Sequence, residues 1–255
     1  MKAIALKGRQ PAYPLVCAPL VGRSRDALLA EAAAVAAKDP GLLEWRVDFF
    51  EGIADAAGVA RLSGEIRQAA GGLPLLFTRR SSREGGEPIA IDEAQVLAVY
   101  RAVCEAGHVD LVDYEMASPA ADVAAVRAMS RERGIALVLS SHDFQATPAR
   151  EVLRERFALA QALGGDVAKL AVMPRNEEDV LVLLAATLQA SRTLDIPVVS
   201  MAMGALGAVS RVCGAAFGSA MSFAVGQSSS APGQMPIADL NAALASLRRA
   251  GALPG

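Results

Sequence analysis

The sequence predicts an α/β protein folded as a single (β/α)8 barrel of the TIM type. Eight short apolar segments alternate with eight segments of helical periodicity along the 255 residues, and one such barrel takes about 250 residues. Most of the apolar segments are nearly continuous in hydrophobic residues, which is typical of parallel strands covered on both faces. Since no long linker interrupts the alternation, we expect residues 1–255 to form one domain, with the active site at the carboxyl ends of the strands.

The predicted elements follow one another in strict succession. The strand segments are Pro14–Val21, Leu42–Phe49, Pro74–Arg80, Val109–Met116, Ile135–Phe144, Val167–Met173, Ile196–Met203 and Ser219–Val225. The helical segments are Asp26–Lys38, Asp55–Ala70, Asp92–Ala106, Ala120–Arg133, Pro148–Leu163, Glu177–Leu194, Ala208–Phe217 and Ile237–Ala250. Thr147 before Pro148, and Asn176 before three acidic residues, are typical helix starts. Glycine stands where three helices should end, at Gly107, Gly134 and Gly164.

Composition and motifs exclude several other classes. An open doubly wound sheet is the alternative fold, but no GxGxxG motif follows the first strand, which weakens a dinucleotide-binding version of it. A net charge of −2 with dispersed basic residues argues against nucleic-acid binding. Cys17, Cys104 and Cys213 form no CxxC pair, so neither a disulfide framework nor a zinc site is expected. No charge-free run is long enough to span a bilayer, and we expect a cytoplasmic protein without membrane contact.

Lysine is scarce, and one lysine lies in an unexpected place. Only four of the 25 basic residues are lysines, and Lys169 stands within the apolar sixth strand. Burial favours the neutral amine, which is a nucleophile toward carbonyls and forms Schiff bases. The alternative is a structural lysine paired with Glu44 or Glu115. The scarcity of lysine favours the functional interpretation.

Histidine is scarcer still. His108 follows a helix and should lie at the opposite end of the barrel, whereas His142 ends the fifth strand at the functional end. Histidine is the side chain most easily poised for proton transfer near neutral pH. His142 is therefore the candidate acid and base, and the alternative is a histidine satisfied by Asp143 or by the backbone.

Charged residues gather at the ends of other strands. On the second strand Glu44, Arg46 and Asp48 are spaced by two and should share one face. Asp113 and Glu115 share a face of the fourth strand, where the alternatives are a metal site or, as we favour, salt bridges to interior arginines. We expect Arg211 early in the helix after the seventh strand, where it could bind a carboxylate or phosphate. The loop from Gly226 to Gln234 could cover a ligand.

Six motifs occur in order along the whole chain. They are Glu44-Trp45-Arg46-Val47-Asp48, Arg80 with Glu84-Gly85-Gly86-Glu87, Ser141-His142-Asp143-Phe144, Lys169-Leu170-Ala171-Val172-Met173-Pro174, Ser210-Arg211 and Ser230-Ala231-Pro232-Gly233-Gln234. In this set the chain closely resembles the type I 3-dehydroquinate dehydratases, Schiff-base-forming enzymes of the shikimate pathway. The resemblance implies elimination of water from 3-dehydroquinate to give 3-dehydroshikimate, without a metal or nucleotide cofactor.

The resemblance also implies roles for individual residues. Lys169 matches the Schiff-base amine, His142 the general acid and base, and Glu84 the carboxylate that orients the histidine. The residues matched to substrate binding are Arg211 as the carboxylate clamp, Glu44, Arg46 and Arg80 at the ring hydroxyls, Ser230 and Gln234 in the covering loop, and Met203 and Phe223 against the ring. Family members are commonly dimeric, so we expect a homodimer. The competing hypotheses are a class I Schiff-base aldolase on the same barrel and a catalytically inactive barrel that serves as a binding subunit.

Overall fold

The computed structural model describes residues 2–6 and 13–253. Its strands are β1 (Leu15–Leu20), β2 (Leu42–Arg46), β3 (Leu75–Thr78), β4 (Leu111–Glu115), β5 (Ala136–Asp143), β6 (Val167–Val172), β7 (Val198–Ala202) and β8 (Met221–Phe223). Its helices are α1 (Arg25–Ala36), α2 (Ala56–Ala69), α3 (Glu93–Ala106), α4 (Ala120–Glu132), α5 (Arg150–Ala162), α6 (Glu177–Thr193), α7 (Gly204–Cys213) and α8 (Ile237–Arg249). Short 3-10 turns occupy Val47–Phe49, Ser82–Glu84 and Gly214–Phe217.

The strands form one parallel sheet that curls into a nearly closed barrel. Their order is β7-β6-β5-β4-β3-β2-β1-β8, and a parallel bridge between Val198 and Ser219 joins the two ends. At this seam the Ser219 Oγ accepts a hydrogen bond from the Ser200 amide at 3.0 Å, so a side chain supplements the short ladder. The (β/α)8 barrel predicted from the alternation of elements is confirmed, and the open sheet is excluded.

Alternation along each strand separates two apolar layers. On β2 the side chain of Leu42 belongs to the interior cluster, whereas Leu43 and Trp45 belong to the layer between strands and helices. In that outer layer Trp45, Phe77, Tyr100 and Tyr114 pack edge to face in succession, with ring centroids 5.3–5.5 Å apart. Ile4 and Leu6 are buried in the interior cluster. The interior is thus apolar at its amino-terminal end, and polar inward-facing residues lie toward the carboxyl ends of the strands.

Several element boundaries differ from the sequence-based prediction. Strand β2 ends at Arg46 instead of Phe49, because Val47–Phe49 forms a 3-10 turn. Helix α7 begins at Gly204, four residues earlier than expected, since its first turn is rich in glycine and alanine and lacks an apolar periodicity. The expectation that Arg211 lies early in this helix is therefore wrong, because Arg211 lies in its last turn.

The predicted helix starts and ends are confirmed in part. The Asn176 side chain caps α6 by accepting a hydrogen bond from the Asp179 amide at 3.0 Å. The three glycines adopt left-handed φ values of 70°, 60° and 82° just past α3, α4 and α5. The prediction of a Thr147 cap is wrong, because α5 begins at Arg150 and the residue at its N-cap position is Ala149, which makes no side-chain cap. No helix in the described part of the chain has the length and apolar character needed to cross a membrane.

Candidate active site

A cavity opens at the carboxyl ends of the strands. Its walls are formed by Glu44, Arg46, Arg80, Glu84, Gly85, His142, Phe144, Lys169, Ala171, Met201, Met203, Phe223, Ser230, Ala231 and Gln234. Of the residues that the resemblance matched to catalysis or substrate binding, all belong to this wall except Arg211, which donates to the carbonyl oxygen of the wall residue Phe223. Five other wall residues were not singled out for the site: Gly85, Phe144, Ala171, Met201 and Ala231.

Lys169 extends from β6 into the cavity with its ammonium group between two carboxylates. Its Nζ lies 3.0 Å from Asp113 Oδ2 and 3.5 Å from Glu44 Oε1. The same Nζ lies 4.6 Å from the centroid of the Phe223 ring, a distance typical of a cation–π contact. Of the two partners considered from the sequence, Glu44 is present and Glu115 is replaced by Asp113. The Lys169 side chain is thus held within an ion-pair network.

Arg80 ties the carboxylates of β4 together. Its Nη2 lies 2.7 Å from Asp113 Oδ1 and its Nη1 lies 3.0 Å from Glu115 Oε1. Burial alone would raise the pKa of Asp113, but the neighbouring Arg80 and Lys169 hold it well below its usual range. The favoured prediction of salt bridges on β4 is confirmed. Among residues 2–6 and 13–253 no cluster of three or more histidine, cysteine or acidic side chains has an arrangement suited to a metal ion.

His142 and Glu84 form a buried pair. The His142 Nδ1 lies 2.8 Å from Glu84 Oε2, which also accepts the His142 backbone N–H at 3.0 Å. Burial, together with the positive charges of Arg80 and Lys169, holds the pKa of His142 well below its usual range. Burial and the charge of Glu115 raise the pKa of Glu84 to about 7. The arrangement suits a neutral imidazole that donates Nδ1–H to Glu84 and presents its Nε2 lone pair to the cavity.

The ring of His142 pairs with Glu84 and not with Asp143 or the backbone, the alternatives considered from the sequence. The Asp143 carboxylate instead accepts the backbone amides of Gln145 and Ala146, at 3.1 Å and 3.0 Å. Glu84 reaches His142 from the 3-10 turn that follows β3. Sequence spacing could not indicate this contact, since the two residues are 58 positions apart.

Glu44 and Arg46 both face the cavity, as their spacing predicted. Glu44 Oε1 accepts the Thr78 hydroxyl at 2.9 Å. Arg46 forms a bidentate pair with Asp48, with Nε–Oδ1 and Nη2–Oδ2 distances of 2.9 Å and 2.7 Å. Asp48 itself does not continue the face of the strand, because it lies in the 3-10 turn and folds back onto Arg46.

Arg211 is a buried cation without an acidic partner. It is only 2% exposed, and its Nη1 and Nη2 donate to the carbonyl oxygens of Phe223 and Pro232 at 3.4 Å and 3.0 Å. Its Nε has no hydrogen-bond partner, and no carboxylate of the described residues forms an ion pair with it. Burial accordingly lowers the pKa of Arg211 to about 10. Such a group is suited to bind an anion that enters the cavity.

The loop after β8 lines the cavity with Ser230, Ala231 and Gln234. The Ser230 backbone N–H donates to Gln234 Oε1 at 3.1 Å, and Gln234 Nε2 donates to Ser230 Oγ at 3.3 Å. Gly233 has a φ of 78°, and a Cβ atom there would lie 2.2 Å from the carbonyl oxygen of Gly204. Only glycine permits this close approach, which seats the loop on the first residue of α7.

Comparisons with known proteins agree with the geometry. The family model described as Type I 3-dehydroquinase matches residues 16–250. A 3-dehydroquinate dehydratase of Albidiferax ferrireducens is 56% identical over 237 residues, which cover 93% of this chain and 90% of that relative. A 3-dehydroquinate dehydratase of Aromatoleum aromaticum is 49% identical over 251 residues, covering 97% and 96%. The crystal structure of 3-dehydroquinate dehydratase from Geobacillus kaustophilus HTA426 superimposes with a TM-score of 0.94 at 48% identity, covering 97% of both chains. The chain belongs to the type I 3-dehydroquinase family.

Proposed function

We propose that this chain dehydrates 3-dehydroquinate to 3-dehydroshikimate through a Schiff base on Lys169. One observation carries the proposal: a buried amine and a histidine line the same cavity, and a buried arginine without an acidic partner bonds the backbone of Phe223 in its wall. An anionic, hydroxylated ketone needs an amine for its carbonyl, a proton shuttle for its hydroxyl and a cation for its carboxylate. Family membership supports the same substrate.

Formation of the Schiff base conserves charge at the lysine nitrogen. The ammonium of Lys169 and the ring ketone give a protonated imine and one water molecule. Two of the three protons on the nitrogen leave in this water molecule, whose oxygen comes from the ketone. Asp113 and Glu44 therefore face a cation before and after the step, at 3.0 Å and 3.5 Å in the free protein. His142 carries protons between nitrogen and oxygen through the neutral carbinolamine.

Elimination follows from the electron demand of the iminium. The iminium acidifies the adjacent C–H, whose proton passes to Nε2 of the neutral His142, and the electron pair forms the new double bond as the hydroxyl leaves. His142 protonates the departing hydroxyl so that it leaves as water. Glu84 holds the imidazole by accepting Nδ1–H. Hydrolysis of the imine then releases the conjugated ketone and restores the ammonium of Lys169.

The other residues of the wall would hold the substrate. Arg211 would bind the carboxylate, since its unused Nε offers a charge-assisted hydrogen bond. Glu44, Arg46 and Arg80 would bind the ring hydroxyls. Met203 and Phe223 would pack on the ring, and Ser230 with Gln234 would cover it. The neighbouring Arg79 has no such role, because it does not line the cavity and pairs with Glu93.

The chain is further proposed to act as a cytoplasmic homodimer in which each subunit, residues 1–255, is one domain. Three apolar side chains remain exposed on the neighbouring helices α6 and α7, namely Leu181, Leu206 and Val209, at 65%, 42% and 53%. Two copies could bury these side chains against each other. Light scattering should give twice the chain mass for the wild type, and the double variant Leu181→Glu/Val209→Glu should give the monomer mass. A wild-type monomer would contradict the dimer, and membrane association on cell fractionation would contradict the location.

The activity is tested by adding 3-dehydroquinate to the purified chain and following the absorbance of the conjugated ketone. The wild type should produce it, and Lys169→Met should not. Lys2→Met is the matched control, because Lys2 bonds the carbonyl oxygens of Ser191 and Leu194, away from the cavity wall. Absence of turnover in the folded wild type would refute the proposed function.

A further inference from the structure

The carboxylate of Asp48 joins three parts of the site without lining the cavity. Its side chain is completely buried, and it accepts four hydrogen bonds. Two come from the guanidinium of Arg46 at 2.9 Å and 2.7 Å. The others come from the backbone amides of Arg80 at 3.2 Å and Glu87 at 3.0 Å. One carboxylate therefore fixes a cavity-facing cation and both ends of the segment 80–87.

The segment between these two amides is closed on itself. The Ser81 carbonyl oxygen accepts the amides of Glu84 and Gly86 at 3.0 Å and 2.8 Å. Gly86 lies so close to Arg80 that a Cβ atom would be 2.1 Å from the Arg80 carbonyl oxygen. A compact segment with both ends held moves as one body. The two amide bonds to Asp48 therefore contribute to the position of Glu84, together with the Ser81 amide bond to Glu115 Oε1 at 2.7 Å.

We propose that Asp48 is a positioning residue for the reaction, acting through Arg46 at the substrate and through Glu84 at His142. The inference rests on the proposed function of this cavity. Its physical basis is that four donors converge on two oxygens, two donors on each. An amide of the same size can accept at only one of these positions, because its NH2 group would meet two donors at the other.

Asp48→Asn therefore breaks two of the four bonds and leaves the Arg46 guanidinium without its counter-charge. Displacement of a catalytic group by about 1 Å can cost about 10²-fold in rate. We expect kcat/KM for 3-dehydroquinate to fall about 10- to 100-fold, with a raised KM from the displaced Arg46 and a lowered kcat from the displaced Glu84.

Asp110→Asn is the matched control. Asp110 is a buried carboxylate with the same kinds of partner, Arg67 at 2.6 Å and the Leu75 amide at 3.0 Å. It lies immediately before β4, at the opposite end of the barrel. Both variants should lower the melting temperature, but Asp110→Asn should leave kcat and KM unchanged.

The deciding experiment compares kcat for Asp48→Asn, Glu84→Gln and the double variant, beside the wild type and Asp110→Asn. If Asp48 acts through Glu84, the loss in the double variant should be smaller than the product of the single losses. Independent, multiplicative losses would overturn the inference, as would kinetics of Asp48→Asn that match those of Asp110→Asn.

Two outcomes separate this inference from the proposed function. A wild type that does not dehydrate 3-dehydroquinate would overturn both, whereas an active wild type with unchanged Asp48→Asn kinetics would overturn the positioning role alone. Should Asp48→Asn fail to fold, hydrogen exchange in the wild type decides. The amides of Arg80 and Glu87 should exchange as slowly as those of the barrel strands, and rapid exchange would contradict the inference.

Discussion

Replacing Arg211 by methionine should strengthen the fold while weakening substrate binding. The lowering of the Arg211 pKa to about 10 by burial corresponds to about 3 kcal/mol of disfavoured charge. Arg211 carries its charge at every pH below this lowered pKa, so the cost to the free energy of unfolding is fully present at neutral pH. The variant removes the cost but leaves the carbonyl oxygens of Phe223 and Pro232 without their donors, at about 1 kcal/mol each.

The balance is a gain of about 1 kcal/mol in the free energy of unfolding, or about 2–4 °C in melting temperature for a domain of this size. Binding should move in the opposite direction. Loss of one partner of a buried charge pair costs about 2–5 kcal/mol, so KM for 3-dehydroquinate should rise about 30-fold or more.

The assay combines thermal unfolding without ligand and steady-state kinetics of the same preparations. Arg67→Met serves as the contrast, because it leaves the buried Asp110 unpaired at the far end of the barrel. It should lower the melting temperature and leave KM unchanged. A fall of several degrees in Arg211→Met, together with an unchanged KM, would refute the assignment of Arg211 as an unpaired cation that awaits an anion.

Three further predictions concern the His142–Glu84 pair and its surroundings. The pKa of Glu84 is raised in the folded state from 4.5 to about 7, so protonated Glu84 contributes about 3 kcal/mol to the free energy of unfolding below pH 4.5, and this contribution is lost as the pH rises through 7. In chemical denaturation, Glu84→Gln should flatten the decline of the free energy of unfolding between these pH values. An unchanged pH dependence in the variant would contradict the raised pKa. His142→Ala should lose about 10²–10⁴-fold in kcat yet still form some imine that borohydride reduces. Near-normal turnover in this variant would exclude His142 as the proton shuttle. The control is His108→Ala, because His108 is exposed. Gly85→Ala should lower both melting temperature and kcat, because φ is 82° and the new Cβ would lie 2.4 Å from Phe144 Cζ; wild-type values for both would contradict the packing of this turn.

Hydrophobic periodicity was enough to predict the barrel, but local signals placed some boundaries wrongly. Eight apolar segments became eight strands in the predicted order because parallel strands buried on both faces require continuous apolar sequence. The second strand was overextended, since Val47 and Phe49 are as apolar as strand residues although they form a turn. Thr147 carries a capping side chain, but the helix begins at Arg150. Tertiary packing decided these ends.

The sequence indicated those site residues whose type is rare in this chain and which lie in or at the end of an apolar strand. Lys169 and His142 were evident from their scarcity and position, and both line the cavity. The pairing of Lys169 with Asp113 was missed, because the contact spans 56 positions and depends on barrel geometry. Arg211 was singled out by its motif, whereas its lack of an acidic partner could be recognised only from the folded structure. Phe144 and Met201 gave no chemical signal, since apolar residues at strand ends are ordinary.

Borohydride reduction in the presence of 3-dehydroquinate tests the central claim most directly. Reduction of the imine should fix the ligand to the chain irreversibly, and peptide mapping by mass spectrometry should place the added mass on Lys169 alone. Lys169→Met should acquire no mass, and Lys2→Met should be modified at Lys169 like the wild type. Added mass on another residue, or no added mass in a folded wild-type chain, would contradict the Schiff-base account.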